Sequence, residues 1–122
     1  MNWLLHAEWE KQENNFPYVS FGDNMIIVLA KVVPKDDEAK DQIIGFSKDL
    51  IENSKEEEGN VDYNLYANTS EDSLMFVEQW ESIEILQKHM QMDYFIKFGQ
   101  NIAGLVANEL EINVFNSEEL EF

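Results

Sequence analysis

The chain has 122 residues, 44% of them apolar, which suits one domain with a core of ordinary size rather than a disordered segment. It has no cysteine, which excludes disulfides, thiolate metal sites and cysteine nucleophiles. Its 25 acidic residues outweigh 8 basic ones, all lysine, for a net charge of -17, so nucleic acid and anionic membranes are poor partners and the bidentate arginine clamp for phosphate is missing.

No run approaches the length of a membrane span. The opening "MNWLLHAEWEKQ" turns acidic where a signal peptide would carry a basic flank, so a cytoplasmic protein is expected. Residues 1–24 read as an N-terminal extension, with Trp3, Trp9, Phe16, Tyr18 and Phe21 making it too aromatic for a plain linker. The domain proper is expected over residues 25–116, followed by an acidic tail over residues 117–122.

Within that domain, "MIIVLAKVV" (25–33) is a continuous apolar, β-branched run closed by Pro34 and reads as a strand buried on both faces. "PKDDEAKDQ" opens a helix whose aspartates cap free N–H groups. Ala39, Ile43, Phe46, Leu50 and Ser54 share its buried face, with Ile51 beside them, and Gly59 ends it. "NVDYNLYANT", the turn "SEDS" and "LMFVEQW" read as a hairpin. Ser82 is the expected N-cap of "IEILQKHM", and Asp93 that of "YFIKFGQNIAGLVA", whose buried stripe is Phe95, Phe98, Ile102, Leu105 and Val106. "ELEINVF" closes the domain as a last strand.

The order β-α-β-β-α-β is the ferredoxin-like pattern, an α+β fold with helices on one face of an antiparallel sheet. A first strand that is apolar on both faces then needs a cover on the side without helices. The simplest cover is the sheet of a second copy, so a homodimer is expected.

In "LMFVEQW", Leu74, Phe76, Glu78 and Trp80 point to one face. If the helix after it folds back over the sheet, His89 can meet Trp80 across a cleft. Each residue also has a purely structural reading. Trp80 can be a core anchor, His89 a solvated residue at a helix end, and Glu78 the acceptor of one local hydrogen bond. A carboxylate on an apolar face nonetheless needs a partner. Tyr63, Tyr66 and Tyr94 share this ambiguity, Tyr63 leaning furthest toward structure. The "EEE" run at 56–58 reads as a solvated helix end, and no metal site is expected. No G-x-S-x-G, Walker or G-x-G-x-x-G pattern occurs.

"EEEGNVDYNLY" and "VEQWESIEILQKHMQ" resemble the E-x-G…Y and E-x-W-x-S…L…H segments of the antibiotic biosynthesis monooxygenase domain, the small bacterial quinol monooxygenases above all. The resemblance runs from about Met25 to Phe115. It implies a dimeric α+β barrel with a pocket between sheet and helices, lined by Trp80 and His89 with Glu78 beside them. It also implies oxidation of a small aromatic quinol or polyketide-like substrate by O₂, without metal or flavin as cofactor. On that reading His89 is the general base, Trp80 a stacking wall, and Glu78 orients His89 or a substrate hydroxyl. Phe76, Tyr63, Phe95 and Phe98 then bind the substrate. Haem-degrading relatives use an asparagine on the first strand, where this chain has "VLAKVV", and a phosphorylated signal is poorly matched by a chain without arginine. The other reading is a non-catalytic dimeric module for a hydrophobic ligand or a partner protein, and a third has Trp80 filling the pocket.

Overall fold

A computed structural model describes residues 24–121. Of the expected N-terminal extension, all but Asn24 lies outside the described residues. The elements are β1 (Met25–Val32), α1 (Asp37–Lys55), β2 (Asn60–Ala67), β3 (Leu74–Trp80), α2 (Ile83–His89), α3 (Asp93–Ile102) and β4 (Glu111–Ser117). The strands pair antiparallel in the order β2-β3-β1-β4. This is the ferredoxin-like α+β fold, with α2 and α3 together standing where the simplest version has one helix. Among the described residues no helix is long and apolar enough to cross a membrane.

Alternation along the strands decides which side chains meet the helices. Ile26, Val28, Ala30 and Val32 of β1 are buried beside Leu74, Phe76, Glu78 and Trp80 of β3. α1 and α3 cover this face and close the core through Ile43, Leu50, Phe98 and Ile102. The opposite face of β1, with Ile27 and Leu29, is only half-buried within one chain.

Three local details differ from the expected pattern. Phe46 is 43% exposed, and Ser47 takes the buried position, its hydroxyl donating to the Ile44 carbonyl at 2.6 Å. Capping the hydroxyl on its own helix makes the serine compatible with burial, so the phenyl ring is left at the rim of a groove. Asp93 is the first residue of α3 rather than its cap; Met92 holds the cap position without a side-chain bond. The helix also ends at Ile102, because the next segment is recruited as an extended bridge beside the end of β1. There Ala107 donates to the Val33 carbonyl at 2.8 Å and Lys35 to the Leu105 carbonyl at 2.9 Å. Asp36 and Ser82 do cap α1 and α2, accepting from Ala39 and Ile85.

The turn after α1 is held from several sides. Its C-cap, Glu56, closes on the Asn53 carbonyl, and Gly59 then adopts φ 89° before β2 begins. The Gly59 carbonyl accepts from Glu81 at 2.9 Å, which ties this turn to the end of β3. A Cβ on Gly59 would collide with the Ile85 side chain of α2. Gly59→Ala should therefore lower the unfolding free energy by about 1–3 kcal/mol, since both the backbone region and the contact resist a methyl group. Urea denaturation checks this, and adding Ile85→Ala should recover only the collision part. Full recovery in the double variant would show that backbone conformation contributes nothing.

Candidate functional site

The three aromatic and ionisable segments converge at one end of the sheet. β3 delivers Trp80 as its last residue, α2 delivers His89 as its last residue, and α3 delivers Tyr94 from its first turn. The turn between α1 and β2 delivers Glu57. Trp80 and His89 are both fully buried, with ring centroids 4.5 Å apart and planes at 40°. Phe95 meets the imidazole edge-on at 4.9 Å, and Tyr63 approaches it at 5.3 Å. The imidazole is thus enclosed by rings on several sides.

Its polar contact comes from Glu57. His89 Nδ1 lies 2.6 Å from Glu57 Oε2, and the Tyr94 hydroxyl donates to the same oxygen at 2.6 Å. Such short contacts are typical of charge-assisted bonds to a carboxylate. The carboxylate side chain is only 8% exposed, so the "EEE" run is not a uniformly solvated helix end. Partial burial and then the Glu57 charge push the Tyr94 hydroxyl upward in pKa, which keeps it a donor. In the neutral ring, a proton on Nδ1 leaves Nε2 as the acceptor, and Nε2 is buried with no hydrogen-bond partner among the described residues. Ser54 Oγ is likewise unpartnered, although it lies beside the Tyr63 hydroxyl. Among the described residues, no three or more His, Asp or Glu side chains gather as metal ligands would.

Glu78 belongs to a different network. Trp80 Nε1 donates to Glu78 Oε1 at 3.0 Å, and Tyr63 stands opposite Glu78 on the neighbouring strand. Burial raises the Glu78 carboxyl from 4.5 to about 8, with the Glu57 charge adding to the rise and hydrogen bonds from Trp80 and Tyr63 opposing it. At neutral pH it is mainly a protonated acid, able to donate as well as accept. Burial, then the Glu78 charge, also lifts Tyr63 well above 10. The hydrogen-bond partner of His89 is therefore Glu57, while Glu78 is bonded by Trp80.

A cavity of about 20 Å³ lies between the sheet and the α1–α3 pair. Phe76, Tyr63, Phe95 and Phe98 border it, together with Glu78. Trp80 and His89 do not line it; they adjoin it through Tyr63, Glu78 and Phe95. It has room for one water and no aromatic substrate. A larger open groove of about 320 Å³ runs between α1 and α3, with Phe46, Asp49, Asn53, Tyr94 and Lys97 among its walls.

Glu57 is the participant that sequence reasoning missed. Its run of three acids looks solvated because nothing local shows which one turns inward. The available signal was Glu57-Glu58-Gly59, a carboxylate two residues before a glycine that must reverse the chain.

The buried acid generates a pH effect. Between about 4.5 and about 8 the folded chain holds a proton on Glu78 that the unfolded chain has released. The stabilisation linked to that proton is full below about 4.5, shrinks as pH rises, and is lost above about 8. Glu78→Gln keeps the neutral form at every pH, so it should gain on the parent as pH rises through this window, by up to about 1.4 kcal/mol per pH unit. Urea curves of both proteins across the range test this; parallel pH profiles would contradict the raised carboxyl.

Comparison with known proteins gives the same fold and a family. Residues 25–101 match the model of the family described as antibiotic biosynthesis monooxygenase. An uncharacterized protein of Synechocystis sp. is 32% identical over 104 residues, spanning 84% of this chain and 70% of its own. A conserved protein from Methanosarcina mazei Go1 superposes with a TM-score of 0.75 at 27% identity, covering 79% of this chain and 95% of that one. A protein of unknown function from Bacteroides thetaiotaomicron, described as a possible oxidoreductase, has the same fold at TM-score 0.71 and 24% identity, over 78% and 99% of the two chains. With more than half its length matched by the family model, the chain belongs to the antibiotic biosynthesis monooxygenase family.

Proposed function

We propose that this protein is a cofactor-independent monooxygenase of a small aromatic quinol or polyketide-like substrate. The observation that carries this reading is the buried His89, held through Nδ1 by Glu57 with Nε2 left free inside an aromatic cage. Such a group is equipped to remove a phenolic or enolic proton. The resulting anion is electron-rich enough to pass an electron to O₂, and the surrounding rings exclude water from the intermediate. One oxygen atom then enters the substrate and the other leaves as water, with all four electrons supplied by the substrate. Trp80 serves as the stacking wall, and Phe76, Tyr63, Phe95 and Phe98 as the apolar lining. A substrate ring that displaces Phe95 from the imidazole edge brings a hydroxyl to Nε2.

The small volume of the cavity favours a second reading, a non-catalytic module that binds a hydrophobic ligand or partner. O₂ uptake by metal-stripped protein with naphthalene-diols, quinols and anthrones separates the two. We expect uptake above the autoxidation blank, reduced about 10²–10⁴-fold in His89→Ala and less in Glu57→Gln. Uptake that survives His89→Ala undiminished would remove His89 from the chemistry.

The same reading makes the protein a homodimer through the sheet face that the helices leave uncovered. Ile27, Leu29, Met75, Val77, Tyr66 and Phe115 lie on that side, with Tyr66 53% and Phe115 47% exposed in the single chain. An apolar face of this kind is unusual on a monomer. Sedimentation at micromolar concentration should give twice the 14.3 kDa chain mass, and Leu29→Glu should give the monomer. A monomeric parent protein would rule out packing through this face.

A further inference from the structure

The inner cavity and the outer groove share two walls. Among the described residues, Leu50 of α1 and Phe98 of α3 line both, so these two side chains form a wall shared by the cavity and the groove. Phe98 packs edge-on against Phe76 at 5.5 Å, which is a contact a rotating ring can leave. Gly99 of α3 and Ala30 of β1 also line the cavity, so helix and sheet each contribute a small residue to its wall. The groove alone is within the usual size range of a ligand site, and the cavity extends it inward to the sheet.

The chemistry at the inner end is one-sided. Apart from Glu78 and Tyr63, the described residues lining the cavity are apolar, and none of them is cationic. Facing Glu78 are Tyr63 from β2 and, farther off, Glu57 from the turn after α1. The side chains that α1 and α3 turn toward it, Leu50, Phe95 and Phe98, carry no charge. An anionic ligand would meet the Glu78 carboxyl, with the Glu57 charge beyond it, and no cationic side chain among the described lining residues, whereas an uncharged oxygen could accept a hydrogen bond.

We propose that groove and cavity are the outer and inner halves of one site, joined when Phe98 turns aside, and that Glu78 donates a hydrogen bond to the carbonyl oxygen of a flat, uncharged aromatic ketone or quinone at its inner end. For the class of ligand the proposal rests on the monooxygenase reading, but it concerns binding and not turnover. Glu78 is thereby the group that selects an oxygenated ring over a hydrocarbon of the same shape, while His89 acts from behind Phe95 and Tyr63.

The test is an NMR titration with indanone and with indane, which differ in one carbonyl. It uses the full chain and the Glu78→Gln, Glu78→Leu and Phe98→Ala variants at about pH 6 and about pH 9.5. At the lower pH the parent should prefer indanone by about threefold to tenfold, the worth of one hydrogen bond. That preference should fade in the parent at the higher pH as the donor proton is lost, and persist at both in Glu78→Gln, whose amide still donates. It should vanish in Glu78→Leu, and Phe98→Ala should tighten both ligands, with the amide signals of Ala30 and Gly99 moving in each case. If Glu78→Leu does not fold, the parent and Glu78→Gln profiles decide the matter between them. A parent preference equal at both pH values, a preference that survives in Glu78→Leu, or no movement at Ala30 and Gly99 would each overturn the proposal. A protein that binds indanone in this way but consumes no O₂ would end the monooxygenase reading and leave this one standing.

Discussion

One carboxylate oxygen holds three parts of this fold in register. Glu57 Oε2 accepts from His89 at the end of α2 and from Tyr94 at the start of α3, and Glu57 itself sits in the turn that joins α1 to β2. Each bond is 2.6 Å, and the side chain is almost fully covered. In such a medium these hydrogen bonds are strong, and losing either donor would leave the carboxylate with a single partner. The short α2 has only seven residues and little helical stability of its own, so the bond at its last residue does much to fix its direction. The stacking of His89 on Trp80 is then a consequence of where α2 is made to end.

Two carboxyl groups close to the same aromatic cluster have opposite surroundings. Glu57 is met by two hydrogen-bond donors, His89 and Tyr94. Glu78 is buried among rings beside a small cavity, and burial outweighs the hydrogen bonds it receives, so its proton is retained. Tyr63 touches both groups of residues, with its ring against His89 and Trp80 on one side and against Phe76 on the other. Among the described residues nothing cationic lines the cavity to draw the Glu78 proton away.

Much of the architecture was present in local pattern. The run of β3 over Leu74–Trp80, its alternation, the caps at Asp36 and Ser82, and the reversal at Gly59 all depend on interactions within a few residues. Where local pattern misled, a distant contact had won. Phe46 and Ser47 compete for one position on α1, and helical spacing cannot decide between a large ring and a hydroxyl that bonds its own helix. The segment after Ile102 carries apolar residues at helical spacing, yet it pairs with Pro34 because the end of β1 offers backbone partners there. Glu57 was unreadable for a related reason: three successive acids are equivalent until a chain reversal turns one of them inward.

The sequence by itself determined the α+β order of elements, the face on which Glu78 and Trp80 lie, and the acidic, arginine-free surface, because each rests on spacing or composition alone. The meeting of His89 with Trp80 was geometrically allowed by that order, but its partner was not. Only the tertiary structure decided that His89 bonds Glu57 rather than Glu78, that Glu78 and not His89 borders the cavity, and that this cavity is small. These depend on how α1, α2 and α3 pack over the sheet, and hydrogen bonds between residues 32 and 37 positions apart leave no periodic trace in the chain.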